Sequence, residues 1–227
     1  MTHSSSVGDL ELWGRTHPFF RLLLMIALII ALVRLAQAGG PKYIAGVSYF
    51  NSGTVGTPLT WPGGVINYYT DQGDLSSFFP GPSADALVAD SFSQWTSVST
   101  AAISAVHSGQ LAENVSGANV YENPDGSISM PADIQPSATG TPLGVVYDED
   151  GSVTDAFLGQ GAGDESECFS NAVFGWIDNF ATDAYFAHAL VVINGNCAQT
   201  SSQQNDVEYR WCACWGEFWD STGAGER

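Results

Sequence analysis

Trp61-Pro62-Gly63-Gly64-Val65-Ile66-Asn67-Tyr68-Tyr69-Thr70 decides how the rest of the chain is to be read. Its second half is β-branched and aromatic and lies between Gly63-Gly64 and Asp71-Gln72-Gly73, the composition and flanking turns of a β-strand. Phe79-Pro80-Gly81-Pro82 then reads as a loop. Ser83 caps a helix running to Ser97, whose first turn carries Asp85, the favourable sign for the positive end of the helix dipole. Leu87, Val88, Phe92 and Trp95 recur on one face at helical spacing, with Asp85, Asp90, Ser93 and Gln94 directed elsewhere. A strand followed by an amphipathic helix, with further strands to come, predicts an α+β domain.

Outward from this unit, Ala101 to His107 reads as a second strand. Gly109 to Pro142 holds Pro124, Pro131, Pro136 and Pro142 with little periodicity, and is expected to be a long irregular excursion with one short strand near Val120. Such loops in compact domains are more often functional or mobile than structural. Leu143 to Tyr147 and Val153 to Leu158 read as two short strands around Asp148-Glu149-Asp150-Gly151-Ser152, and Ala187 to Ile193 as another, ended by Asn194-Gly195.

The amino-terminal 38 residues read differently. Arg15 and Arg21 precede the uncharged apolar run Leu22 to Val33, and Ala36-Gln37-Ala38 follows, the order of a secretory signal peptide over 1–38. The competing reading is a transmembrane anchor, but the run is short for a bilayer that needs about 20 apolar residues. Membrane contact is therefore expected only through this segment where it stays uncleaved. Residues 39–58, rich in Gly, Thr and Pro, read as an extended lead-in. The net charge is −18, and beyond Ala38 the basic residues are Lys42, Arg210 and Arg227. So acidic a surface repels phosphate backbones and argues against nucleic-acid binding.

In an exported chain, Cys168 and Cys197 are expected to form a disulfide rather than a metal site. Closing that loop contributes on the order of 3 kcal/mol, mainly by constraining the unfolded chain. Cys212-x-Cys214 lacks the Cys-x-x-Cys spacing of a zinc or redox half-site. Asp148-Glu149-Asp150-Gly151 admits two readings, a calcium loop or an acidic hairpin turn with glycine at positive φ; no glutamate closes it as in an EF-hand. Asp164-Glu165-Ser166-Glu167 reads as a solvated loop, and Asn114-Val115-Ser116 is a formal glycosylation sequon. Beyond the leader the histidines are His107 and His188, too far apart in sequence for a recognisable zinc set. There is no Gly-x-Ser-x-Gly elbow and no phosphate-binding glycine loop.

Trp61-Pro62-Gly63-Gly64 leading into Val65–Tyr69, then Ala86 to Trp95, then Ala102-Ile103-Ser104, resembles the opening of a metzincin domain, nearest to the matrixin-like domains of large secreted bacterial proteins. Leu143 to Leu158 and Ala189 to Cys197 are similar to the strands such members place before their active-site helix, so the resemblance covers roughly residues 59–210. It implies a twisted mixed β-sheet with the early helix packed on one face. In active relatives it implies zinc held by the three histidines of H-E-x-x-H-x-x-G-x-x-H, whose glutamate handles the proton of a zinc-activated water. This sequence contains no H-E-x-x-H, so no catalytic, metal-binding or cofactor-binding residue carries over and no cofactor is expected in this chain. A zinc site of His107, His188 and the cysteines is the least favoured alternative.

Residues 211–227 form an anomalous tail, with three tryptophans and two cysteines between Trp211 and Trp219 and no amphipathic period. Back-translated into GC-rich codons and read one base earlier, the stretch spells L-V-R-V-L-G-R-V-L-G-L. Its last nine letters sit on the pattern H-E-x-G-H-x-L-G-L with arginine at both histidine places. The expectation is therefore an exported matrixin-like pseudoenzyme, truncated before its active-site helix by a frameshift. The rival expectation is a secreted, non-enzymatic binding or cell-surface module for a peptide or protein ligand, using its sheet and the 109–142 excursion.

Overall fold

The computed structural model describes residues 60–97, 103–181, 185–208 and 210. The 1–38 leader, the 39–58 lead-in, Ala101-Ala102 and the 211–227 tail with Cys212 and Cys214 lie outside the described residues.

The elements in chain order are β1 (Val65–Thr70), α1 (Gly81–Thr96), β2 (Ser104–Gln110), β3 (Tyr121–Glu122), β4 (Ile128–Ser129), β5 (Leu143–Asp148), α2 (Ser152–Leu158), α3 (Cys168–Asn171), β6 (Val173–Ala181) and β7 (Tyr185–Asn194). A further helix, α4, begins at residue 201. The main sheet has the order β2-β1-β5-β7-β6. Strands β2, β1, β5 and β7 are mutually parallel and β6 runs antiparallel to β7, so the sheet is mixed and the domain α+β. Strands β3 and β4 form a separate two-stranded ribbon.

Parallel strands buried on both faces need apolar side chains in both directions, which is why β5 and β7 read as near-continuous hydrophobic runs. All six residues of β5 are buried, and so is β7 from His188 onward. On one face Val145, Tyr147, Ala189, Val191 and Ile193 pack with Leu87, Val88 and Phe92 of α1. On the other, Val146, Leu190 and Val192 pack with Leu111, Val115, Val120 and Ile134. The 109–142 excursion is thus a structural cover: it builds the second core, and its short strand follows Val120 as the ribbon β3–β4.

Three sequence expectations are corrected. Helix α1 starts at Gly81 rather than after Ser83, because Pro82 sits within the first turn, where its missing N–H has no intrahelical partner to lose. Strand β2 is shifted to Ser104–Gln110, with an irregularity opposite Tyr68/Tyr69 where Gly109 takes φ 139°. Val153 to Leu158 is not a strand but most of α2. Both sides of β5 are occupied by parallel neighbours, so the chain leaving β5 has no place to form a hairpin and must cross over. Strand β6, which sequence reasoning did not find, takes the antiparallel place on the edge beyond β7.

Candidate functional site

In sheets with parallel strands, ligands gather at the carboxyl ends of the strands. Here β1, β5 and β7 end in short polar side chains, Asp71 just past β1, Asp148 and Asn194, all buried. Asp71 Oδ1 accepts the backbone N–H groups of Gln72 (2.7 Å), Gly73 (3.3 Å) and Val115 (3.0 Å), and Oδ2 accepts that of Tyr147 (3.2 Å). One side chain therefore ties the turn after β1, the excursion and β5 together. Burial pushes its carboxyl up to about 6, against the opposing pull of these four donors.

Asp148 does the equivalent at β5. Its Oδ1 accepts from Val153 N (3.0 Å), and its Oδ2 accepts from Thr154 N (2.7 Å) and the Thr154 hydroxyl (2.6 Å). These are the orphan donors at the start of α2, so the carboxylate serves as its cap from outside the helix. Burial again raises this carboxyl, offset by the Thr154 and Val153 donors. Asn194, its register partner on β7, donates to Gly163 O (3.1 Å) and accepts from Asn196 N (3.0 Å). The loops they hold pack backbone to backbone. A Cβ on Gly163 would strike the Gly151 carbonyl, and Gly151 itself takes φ 80°. The carboxyl edge is closed by hydrogen bonds whose polar atoms are already in use.

The acidic turn Asp148-Glu149-Asp150-Gly151 leads into a helix, not a hairpin, although its glycine does take positive φ. Asp150 Oδ1 accepts Ser152 N (3.0 Å), so both aspartates of the suggested calcium loop engage the start of α2. Among the described residues no group of three or more His, Cys, Asp or Glu stands together in a way that could hold a metal. His107 lies on the edge strand β2 and His188 on β7, with β1 and β5 between them. Asp164-Glu165-Ser166-Glu167 is exposed, as expected for a solvated segment.

A second polar constellation lies on the α1 side. His107 Nε2 is 3.0 Å from Thr70 Oγ1, Thr70 bonds the Tyr147 phenol, and Tyr147 donates to Asp85 Oδ1 at 2.8 Å. Four elements, β2, β1, β5 and α1, each contribute one member. The His107 ring stacks on Tyr68 at 5.1 Å with 11° between planes. Burial, with the Asp85 charge beside it, raises the Tyr147 phenol, so it stays protonated and donates. With the histidine proton on Nε2, the donors run in one direction from an exposed imidazole to a partly buried carboxylate. This geometry can carry a proton, but Tyr147 is too buried to meet a substrate. Sequence reasoning placed Asp85 only at the helix dipole and missed the set; no spacing rule joins residues on four elements.

Cys168 and Cys197 form the expected disulfide, with Cα atoms 5.4 Å apart. It joins α3 to the 3₁₀ turn Gly195–Cys197 that follows β7 and precedes α4. A shallow, open recess of about 350 Å³ lies nearby, lined by Leu158, Gly159, Gln160, Gly161, Ala162, Glu167 and Asn171. The bond indicates an oxidising, extracytoplasmic environment. Among the described residues no helix is long and apolar enough to cross a membrane.

No protein-family model matches the chain, and comparison with curated proteins and with solved structures finds no match for it.

Proposed function

We propose that this chain is an exported domain of the matrixin-like metzincin type that lacks peptidase chemistry. The observation that supports this most is the path of the chain. Strand β1 leads through α1 into β2 of a mixed sheet, and β7 runs through the Gly195–Cys197 turn straight into α4. The resemblance expects the zinc-binding helix to follow those strands. Ser201-Ser202-Gln203-Gln204-Asn205-Asp206-Val207-Glu208 is the polar approach to that place, and no H-E-x-x-H occurs there or in the 211–227 tail that follows. Without a helical pair of histidines at i and i+4, three protein ligands cannot converge on zinc in the family's way.

Metal analysis of the purified, oxidised protein together with a peptidase assay tests this reading. The expected result is substoichiometric zinc and no hydrolysis above background. One zinc per chain, or hydrolysis abolished by a chelator, refutes it.

A second reading, an extracytoplasmic binding module for a peptide or protein, is favoured by Tyr121. It is 47 % exposed at the start of the β3–β4 ribbon, on an excursion packed onto the core below through Leu111, Val115, Val120 and Ile134. Large exposed aromatics on rigid supports are common anchors of protein interfaces. Loss of ligand capture in Tyr121→Ala, with unchanged stability, would support this reading over the first.

A further inference from the structure

Residues 164–171 form a segment whose attachment differs from that of its surroundings. The 3₁₀ turn Glu165–Glu167 and α3 contain no buried residue, and Phe169 is 83 % exposed. The flanks are firmly held. Gly163 donates to Asp155 Oδ1 (2.7 Å) and its carbonyl accepts from Asn194 and Asn196, while Ala172 and Val173 enter the core at the start of β6. Between these anchors the segment reaches the body through side chains of α4, through Asn171 at its end, which donates to the Ala162 carbonyl (2.9 Å), and through Cys168, which packs at the margin of the first core and carries one covalent bond. Arg210 donates to the Phe169 carbonyl and lies 4.9 Å from that ring, and Gln203 Nε2 is 3.5 Å from Glu165 Oε1. These are exposed polar and cation–π contacts of the weak kind. The covalent bond ends on Cys197, which is buried, while Cys168 is partly exposed.

We propose that residues 164–171 are a redox-cleavable strap, locked by Cys168–Cys197 onto the turn that feeds α4 and released by a dithiol without unfolding of the sheet. Access fixes the direction of attack. A thiolate of the dithiol attacks Cys168 Sγ, the S–S bond breaks, and Cys197 leaves as a thiolate that takes up a proton. The reagent's second thiol then attacks the mixed disulfide, which frees the Cys168 thiol and leaves the reagent as a disulfide. The dithiol supplies both electrons and both protons. Once the bond is open, a segment with no fully buried side chain, held mostly by exposed contacts, belongs to the least stable part of the molecule and opens locally. The second core contains no residue of the strap, and the first touches it only at Cys168. This holds whether or not the domain is a peptidase relative.

The test uses the full chain in a Cys212→Ser/Cys214→Ser background, so that the dithiol acts on one bond. Oxidised and dithiothreitol-treated protein are digested briefly with a glutamate-specific endoproteinase. Glu165 and Glu167 report on the strap, and Glu113 and Glu122, both exposed, are internal controls. Reduction is expected to raise cleavage at Glu165 and Glu167 by about ten-fold or more, with the controls unchanged, as local opening requires. Adding Cys168→Ser/Cys197→Ser is expected to give the fast pattern with or without dithiol. Unchanged cleavage at the strap on reduction overturns the proposal. So does a parallel rise at all four sites, which would mean that the bond holds the whole domain together.

Discussion

Asp71→Asn separates two opposing physical effects on a buried carboxyl. The side chain is 0 % exposed, and burial moves its pKa from 3.8 up to about 6. The shift of roughly two units is worth about 3 kcal/mol. Because the folded-state value is raised, the native protein binds more protons than the unfolded chain between pH 4 and 6. The ionised form therefore costs stability above pH 6, and the cost is relieved as the pH falls towards 4. The asparagine variant keeps an oxygen for the Gln72, Gly73 and Val115 N–H groups but turns an amide N–H₂ towards Tyr147 N–H. That donor–donor clash costs about 1–3 kcal/mol at every pH, so it shifts the curve without tilting it. Urea unfolding of wild type and variant from pH 4 to 7.5 measures the difference directly. Wild type is expected to gain on the variant by up to about 3 kcal/mol as the pH falls from 7 to 4. If wild type instead loses ground on acidification, the four N–H donors outweigh burial, and the account of this site is wrong.

Asp148→Ala removes the acceptor of three donors at the start of α2 and is expected to lower stability by about 2 kcal/mol, read from the denaturation midpoint. Tyr147→Phe removes the hydrogen bond to Asp85 and is expected to cost about 1 kcal/mol while leaving the circular dichroism of the sheet unchanged. Gly163→Ala places a methyl against the Gly151 backbone. It is expected to destabilise more than Gly126→Ala, where positive φ is the only obstacle, and comparative thermal melts decide between them. Leu190→Ala, in the second core, is expected to cost 2–5 kcal/mol.

What could be read in the sequence was local. Val65–Thr70 falls where composition and flanking glycines put it, and Leu87, Val88 and Phe92 are buried as their spacing required. The cysteine pair followed from compartment chemistry. What could not be read depended on distant neighbours. Val153 to Leu158 has strand-like residues, but β5 already has a partner on each side, and Asp148 offers its carboxylate to the next turn. Strand β6 is interrupted by Gly175, Asp178 and Asn179, residues poor in strands, and owes its form to pairing with β7. Asp71 looked like a turn residue because its decisive donors, Val115 and Tyr147, lie 44 and 76 positions away. The His107–Thr70–Tyr147–Asp85 set was hidden for the same reason.

The placement of β7 also sets a clock. Among the described residues it is the last strand of the sheet to be synthesised, yet it sits between β5 and β6 and lends side chains to both cores. Until residue 194 has left the ribosome, β5 lacks one neighbour and neither core can close. Closure of the sheet is therefore a late event, and Cys168 can meet Cys197 only after β7, which lies between them in sequence, has been made.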